Sequence, residues 1–157
     1  LYDLTKDGST TELLEYLQSG GDVNVIVDSL SRRLIEMAAS RGHAPIVQIL
    51  LEHGASVETV GPGRLDSGIG YTLLHYAAYG DHLPLAVLLL RHGMNIDAPD
   101  SAYDAGGFTP LLEAITRGSI DVARLLLARG ASPLIHNKKG WGPLHKAVER
   151  GITEFVS

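Results

Sequence analysis

The sequence predicts an all-α fold, a solenoid of helix-turn-helix units joined by loops, two of them lengthened. Three observations carry this. A glycine-bounded apolar run recurs at fixed length, a shorter run with paired small residues precedes it, and both show helical rather than strand periodicity. In a chain of 157 residues such self-similarity outweighs composition, because a missed repeat gives the wrong fold.

The long runs come first. They lie between Gly8 and Gly20, Gly42 and Gly54, and Gly118 and Gly130, each pair 12 positions apart. Another spans Asp81 to Gly93, again 12 positions, with Asp in the first glycine's place. They carry Leu13, Leu14 and Leu17; Ile46, Val47, Leu50 and Leu51; Leu85, Leu88, Leu89 and Leu90; Val122, Leu125, Leu126 and Leu127. Spacings of three and four put each set on one helical face. Gly54, Gly93 and Gly130 close their helices in a left-handed conformation that costs glycine little. Pro45 and Pro84 share one register in the first turn, where proline is tolerated.

The short runs follow the same logic. They read Thr72 to Ala78, Thr109 to Ile115 and Gly142 to Val148, and more weakly Arg33 to Ala39. Thr then Pro starts a helix: the hydroxyl accepts a first-turn amide, and Pro at the first helical position loses no bond. The alanines let a neighbouring helix approach closely.

These motifs resemble the ankyrin-repeat family, whose pattern is Gly-x-Thr-Pro-Leu-His-x-Ala-Ala, Gly-His, Val-Val-x-x-Leu-Leu and Gly-Ala-Asp-Val-Asn. The best matches are Tyr71 to Ala78, Gly107 to Ala114, Arg41-Gly42-His43, Gly130-Ala131 and Gly21-Asp22-Val23-Asn24. Ala114 and Ala147 lie 33 apart, the family's period. The resemblance covers the whole chain in five registers and implies a single ankyrin-repeat domain over residues 1–157. Its repeats fall at about 1–24 (partial), 25–58, 59–97, 98–134 and 135–157 (truncated). Ala38 to Ala77 is 39 positions and Ala77 to Ala114 is 37, so six and four residues are additional. Both insertions fall in the loop before a short helix, at Glu58 to Gly70 and Ala98 to Gly107. That loop is the family's finger, which projects towards the binding face. Leu1 aligns inside a short helix, and Phe155 and Val156 align with the paired valines of a long one. The expectation is therefore an excerpt of a longer array.

Composition removes several function classes. Lys plus Arg number 13 against 18 Asp plus Glu, a formal charge of −5, which disfavours nucleic acid. The basic pairs Arg32-Arg33 and Lys138-Lys139 are too short and separate to make an electrostatic groove. Leu, Ile, Val and Phe make 46 residues, 29% of the chain, enough for a folded core. Cysteine is absent, which excludes disulfides, thiolate metal sites and cysteine nucleophiles and fits a reducing, intracellular setting, cytoplasmic or nuclear. The densest apolar stretch, Leu83 to Leu90, is too short for a membrane span and contains Pro84.

Seven histidines invite a metal or catalytic role, but repeat position accounts for six. His75 and His145 occupy the Thr-Pro-Leu-His slot, His43 and His82 precede a long helix, and His53 and His92 precede its closing glycine. Only His136 falls outside the pattern. There is no metal-ligand spacing such as His-Glu-x-x-His, no nucleophile elbow and no phosphate loop. Asp100 and Asp104 in the second long finger read as solvated loop carboxylates rather than a cation site. No cofactor, metal or enzymatic activity is expected.

The candidate binding residues form a column. The position before each Thr slot holds Arg32, Tyr71, Phe108 and Trp141, and equivalent positions line up along a solenoid. The resemblance places this slot at the finger base beside the concave surface. Two readings stay open: partner contact, for which Tyr, Trp and Arg are enriched, and packing over the adjacent Pro and Leu. On the first, replacing Tyr71, Phe108 and Trp141 by Ala removes binding and leaves stability nearly unchanged. The other contact slots follow the paired small residues: Ser40-Arg41, Tyr79-Gly80, Thr116-Arg117 and Glu149-Arg150. With Tyr103 in the second insertion, these make Arg32, Arg41, Tyr71, Tyr79, Tyr103, Phe108, Arg117 and Trp141 the candidates for binding a protein or peptide. The array is expected to be monomeric, and it suits either a recognition module or the targeting or regulatory arm of a larger enzyme or signalling protein. Asn24 occupies the position that asparaginyl hydroxylases modify in some relatives, though its usual role is to brace the finger.

Overall fold

The computed structural model describes residues 9–27, 32–57, 70–101 and 106–152. Within them the chain forms eight α-helices: α1 (Thr10–Gln18), α2 (Leu34–Ser40), α3 (Ala44–Glu52), α4 (Leu73–Tyr79), α5 (Leu83–Arg91), α6 (Pro110–Arg117), α7 (Ile120–Ala128) and α8 (Pro143–Glu149). A lone antiparallel bridge joins Ile26 and Arg33. The all-α expectation holds.

Each short helix is started by whatever its first position supplies. The Thr109 hydroxyl accepts the Leu112 amide at 3.2 Å, and that of Thr72 accepts the His75 amide at 3.4 Å. Where Thr is replaced by Arg33, capping runs in reverse: the Arg33 amide donates to the Glu36 carboxylate at 2.8 Å. These bonds satisfy amides that a helix leaves without internal partners. Among the long helices, α3 and α5 carry proline in their first turn. Gly54, Gly93 and Gly130 follow α3, α5 and α7 with φ of 80°, 74° and 88°.

The helices form two layers. Short helices α2, α4, α6 and α8 pack successively on one another, as do α1, α3, α5 and α7. The layers are joined by α2 on α3, α4 on α5 and α6 on α7. Between them lie Leu34, Leu74, Leu111, Ile46, Leu50, Leu85, Leu89, Val122 and Leu126, none more than 1% exposed. Each fully buried Leu contributes roughly 1.5–3 kcal/mol. Ala38, Ala77, Ala114 and Ala147 are wholly buried, so the short helices meet where side chains are smallest.

Asp81 explains why one repeat dispenses with glycine. Its φ is 53°, in the left-handed region where Gly42 and Gly118 stand at 73° and 81°. Its carboxylate accepts the Val122 amide of the following repeat at 3.0 Å, in the first turn of α7. Ser119, the residue positioned to cap α7, makes no side-chain cap bond. The left-handed strain, about 1–2 kcal/mol for a non-glycine residue, is thus set against a cap worth about 1 kcal/mol.

The finger bases are built by polar side chains. Buried Asp100 accepts the Gly107 and Phe108 amides at 2.7 and 2.9 Å. Asn137 does the same for Lys139 and Trp141, both at 3.0 Å. Eight positions separate Asp100 from Phe108 but four separate Asn137 from Trp141. At both bases one side-chain oxygen accepts the amide of the slot residue, Phe108 or Trp141. Asn24 and Asp97 brace successive loops, accepting the Ser56 and Ser132 amides at 2.8 and 3.0 Å. Leu1, Phe155, Val156, Asp104 and all but Gly70 of the first long finger lie outside the described residues.

Candidate functional site

The site is assembled from the ends of the short helices and the loop residues that precede them. At its centre, four side chains from two repeats interlock. The Tyr71 hydroxyl donates to Glu113 Oε1 on α6 at 2.8 Å. Arg117, one turn along α6, donates to the same carboxylate at 2.8 Å. Its guanidinium lies 4.2 Å from the centre of the Tyr79 ring on α4, within cation–π range. Tyr71 also stacks on His75, with centroids 5.3 Å apart and planes 12° from parallel.

Burial sets the ionisation of this cluster. Desolvation, reinforced by the Glu113 charge, pushes the Tyr71 phenol well above its ordinary value of 10.0. Desolvation likewise lowers His75 from 6.5. Its Nδ1 accepts the Thr72 amide at 3.2 Å, so Nε2 carries the proton and donates to the Phe108 carbonyl at 2.8 Å. For Arg117, burial works against the charge, but the bond and attraction to Glu113 outweigh it and raise its value. The imidazole is neutral and the guanidinium firmly charged.

The candidate column divides on inspection. Tyr71 is only 5% exposed and its hydroxyl is engaged, so this position packs repeats together. Its burial favours the packing reading over the contact reading at this slot. Arg32 and Phe108 are half-buried, and the Phe108 carbonyl is taken up by His75. Trp141 is 41% exposed, with the Lys146 ammonium 4.4 Å from its ring centre. Tyr79 is 43% exposed, Arg117 is exposed and Arg41 half-buried. Tyr103 lies outside the described residues.

Sequence reasoning had not singled out Glu113 or Lys146. Glu113 precedes Arg117 by four positions on one helix, the spacing that pairs opposite charges, so a signal was available. Its contact with Tyr71, 42 positions away, had none.

Among the described residues no three His, Asp or Glu side chains gather where a metal ion could sit. His53 Nδ1 donates to the Ile49 carbonyl at 2.8 Å, and His136 meets His145 edge to face at 5.4 Å. The outer side of α8 bears an open groove of about 270 Å³ lined by Leu144, His145 and Val148. No described helix is long and apolar enough to cross a membrane.

Stacked helix-turn-helix units with polar finger bases define a helical repeat protein. The family model described as ankyrin repeats (3 copies) matches residues 1–100 and 59–137, and the chain belongs to the ankyrin-repeat family. It is also 37% identical over 54 residues to ankyrin repeat domain-containing protein 13C-A of Xenopus laevis. That match covers 34% of this chain and 11% of the relative. Proteins of this family are generally non-catalytic modules for protein–protein interaction.

Proposed function

We propose that this chain is a non-catalytic recognition module that binds a protein or peptide partner through its concave face and finger loops. The observation that carries this is the exposed Tyr79–Arg117 pair, held at 4.2 Å by a buried carboxylate. An aromatic ring and a guanidinium fixed in place lose little freedom on binding, and both are frequent interaction hot spots. Arg41 and Trp141 extend the surface to either side, while Arg32 and Phe108 lie at its margin. Tyr103 joins it on the sequence pattern. Tyr71 supports the surface from beneath.

The test separates contact from support. Tyr79→Ala with Trp141→Ala is expected to remove partner binding at a nearly unchanged unfolding midpoint, whereas Tyr71→Ala lowers the midpoint. Loss of stability with undiminished affinity per folded molecule would return Tyr79 and Trp141 to packing.

A second reading places the array as a targeting or regulatory arm of a larger protein. It is favoured by the Xenopus laevis relative, in which the matched segment is 11% of the length. The open reading frame of the gene decides it: a catalytic or signalling domain in the same frame supports the arm, and an array alone opposes it.

A further inference from the structure

The residue closing each short helix falls at an equivalent position: Arg41, Gly80, Arg117 and Arg150. Three are arginines, and the intervening contacts tie the four into one row. His82 approaches the Ser40 carbonyl with Nε2 at 3.4 Å, so the third repeat lies against the turn bearing Arg41. Arg117 lies over Tyr79, and Arg150 Nη1 donates to the Thr116 carbonyl beside Arg117. At the second place Gly80 has no side chain, and the His82 ring occupies the space a Cβ would need. The row thus reads cation, aromatic, cation, cation.

Among the described residues, three carboxylates near the row are engaged. Glu113 is held by Arg117 at 2.8 Å and Glu149 by Lys146 at 2.6 Å. Asp81 caps α7. The negative ends of the short helices offset part of the arginine charge, but Arg117 and Arg150, each with part of its guanidinium fork engaged, are exposed residues. Such forks match planar carboxylates.

We propose that this row takes an extended acidic segment of the partner protein, a specification that rests on the recognition function above. Packed helices lie about 8–10 Å apart, and an extended chain in the polyproline II conformation advances about 3.1 Å per residue with about three residues per turn, so one repeat corresponds to roughly three partner residues and every third side chain returns to the same face. Carboxylates facing Arg41, Arg117 and Arg150 therefore occupy the first, seventh and tenth positions of the segment. An apolar residue at the fourth meets Tyr79. The chain's charge of −5 opposes a uniform polyanion, so register rather than bulk charge selects the ligand.

The probe is a fluorescent synthetic twelve-residue peptide with Glu at the first, seventh and tenth positions, Leu at the fourth, and Gly and Ser elsewhere. Its control has the seventh and tenth Glu each moved by one residue, which turns each about 120° away from the face that meets the array. By anisotropy, the matched peptide is expected to bind at least about tenfold more tightly than the control, and to weaken strongly in half-molar salt. Arg150→Gln reduces matched binding by about tenfold and Arg150→Lys by less, with circular dichroism and unfolding midpoint checking the fold of each. Equal binding of the two peptides overturns the proposal. If both acidic peptides fail while one selected from an unbiased display library binds and is lost in Tyr79→Ala, the acidic chemistry is wrong and the recognition function stands. If no peptide of either origin binds, the recognition function fails with it.

Discussion

The junction between α4 and α6 and the outer side of α8 carry the same motif in different surroundings. Leu111 of α6 is wholly buried, whereas Leu144, its counterpart on α8, is 40% exposed. Tyr71 is buried against Glu113, whereas Trp141 in the equivalent slot is 41% exposed with Lys146 across its ring. His75 reaches the carbonyl of the next repeat, while His145 meets His136 at the surface. A repeat motif therefore does not fix the role of its residues. That role depends on what the neighbouring unit presents.

The largest test of this contrast is a matched pair of truncations. Leu111→Ala is expected to cost about 2–5 kcal/mol in urea unfolding, since it leaves a cavity between packed helices. Leu144→Ala should cost less, because 40% of the residue's surface already lies in water. Equal losses would show that the two leucines are covered to the same extent.

A second test addresses the aromatic slot. Tyr71→Phe removes a hydrogen bond to a buried carboxylate and should cost about 1.5–3 kcal/mol. Trp141→Phe should change stability by less than about 0.5 kcal/mol. The pH profile sharpens the contrast. The folded value of His75 is lowered, so its contribution is complete above 6.5, the unfolded value, and is lost as pH falls through the folded one. Tyr71 is raised, so its contribution is complete below 10.0 and is lost at higher pH. His75→Gln should flatten the acidic limb and Tyr71→Phe the alkaline one. Unfolding midpoints measured across pH check both, and an unaltered acidic limb in His75→Gln would place its origin elsewhere.

The smallest effects are expected at Asp81. Asp81→Ala keeps the left-handed strain and loses the cap on α7, lowering stability by about 1 kcal/mol. Asp81→Gly loses the same cap but relieves strain, so it should lie nearer the parent. Thermal melts of the two variants distinguish them.

The helices were legible because their determinants are local: leucines at three- and four-residue spacing, Thr before Pro, and glycines at the closing turns. Long-range partners were not. Nothing near Tyr71 in the sequence announces Glu113, and without that carboxylate the slot reads equally well as contact or as packing. The Arg33 start was weak in sequence because its cap acts in reverse, from Glu36 to the Arg33 amide. Asp81 showed as a departure from glycine, but its reason lies 41 positions away on α7. Local chemistry specifies each unit, and the pairing between units decides which side chains remain available to a partner.

The central claim is that recognition uses the ends of the short helices rather than the long-helix layer. The most direct measurement is backbone amide chemical-shift mapping with a peptide selected from an unbiased display library. The expected shifts cluster at Arg41, Tyr79, Arg117 and Arg150. A footprint confined to the outer faces of α1, α3, α5 and α7 would contradict the account.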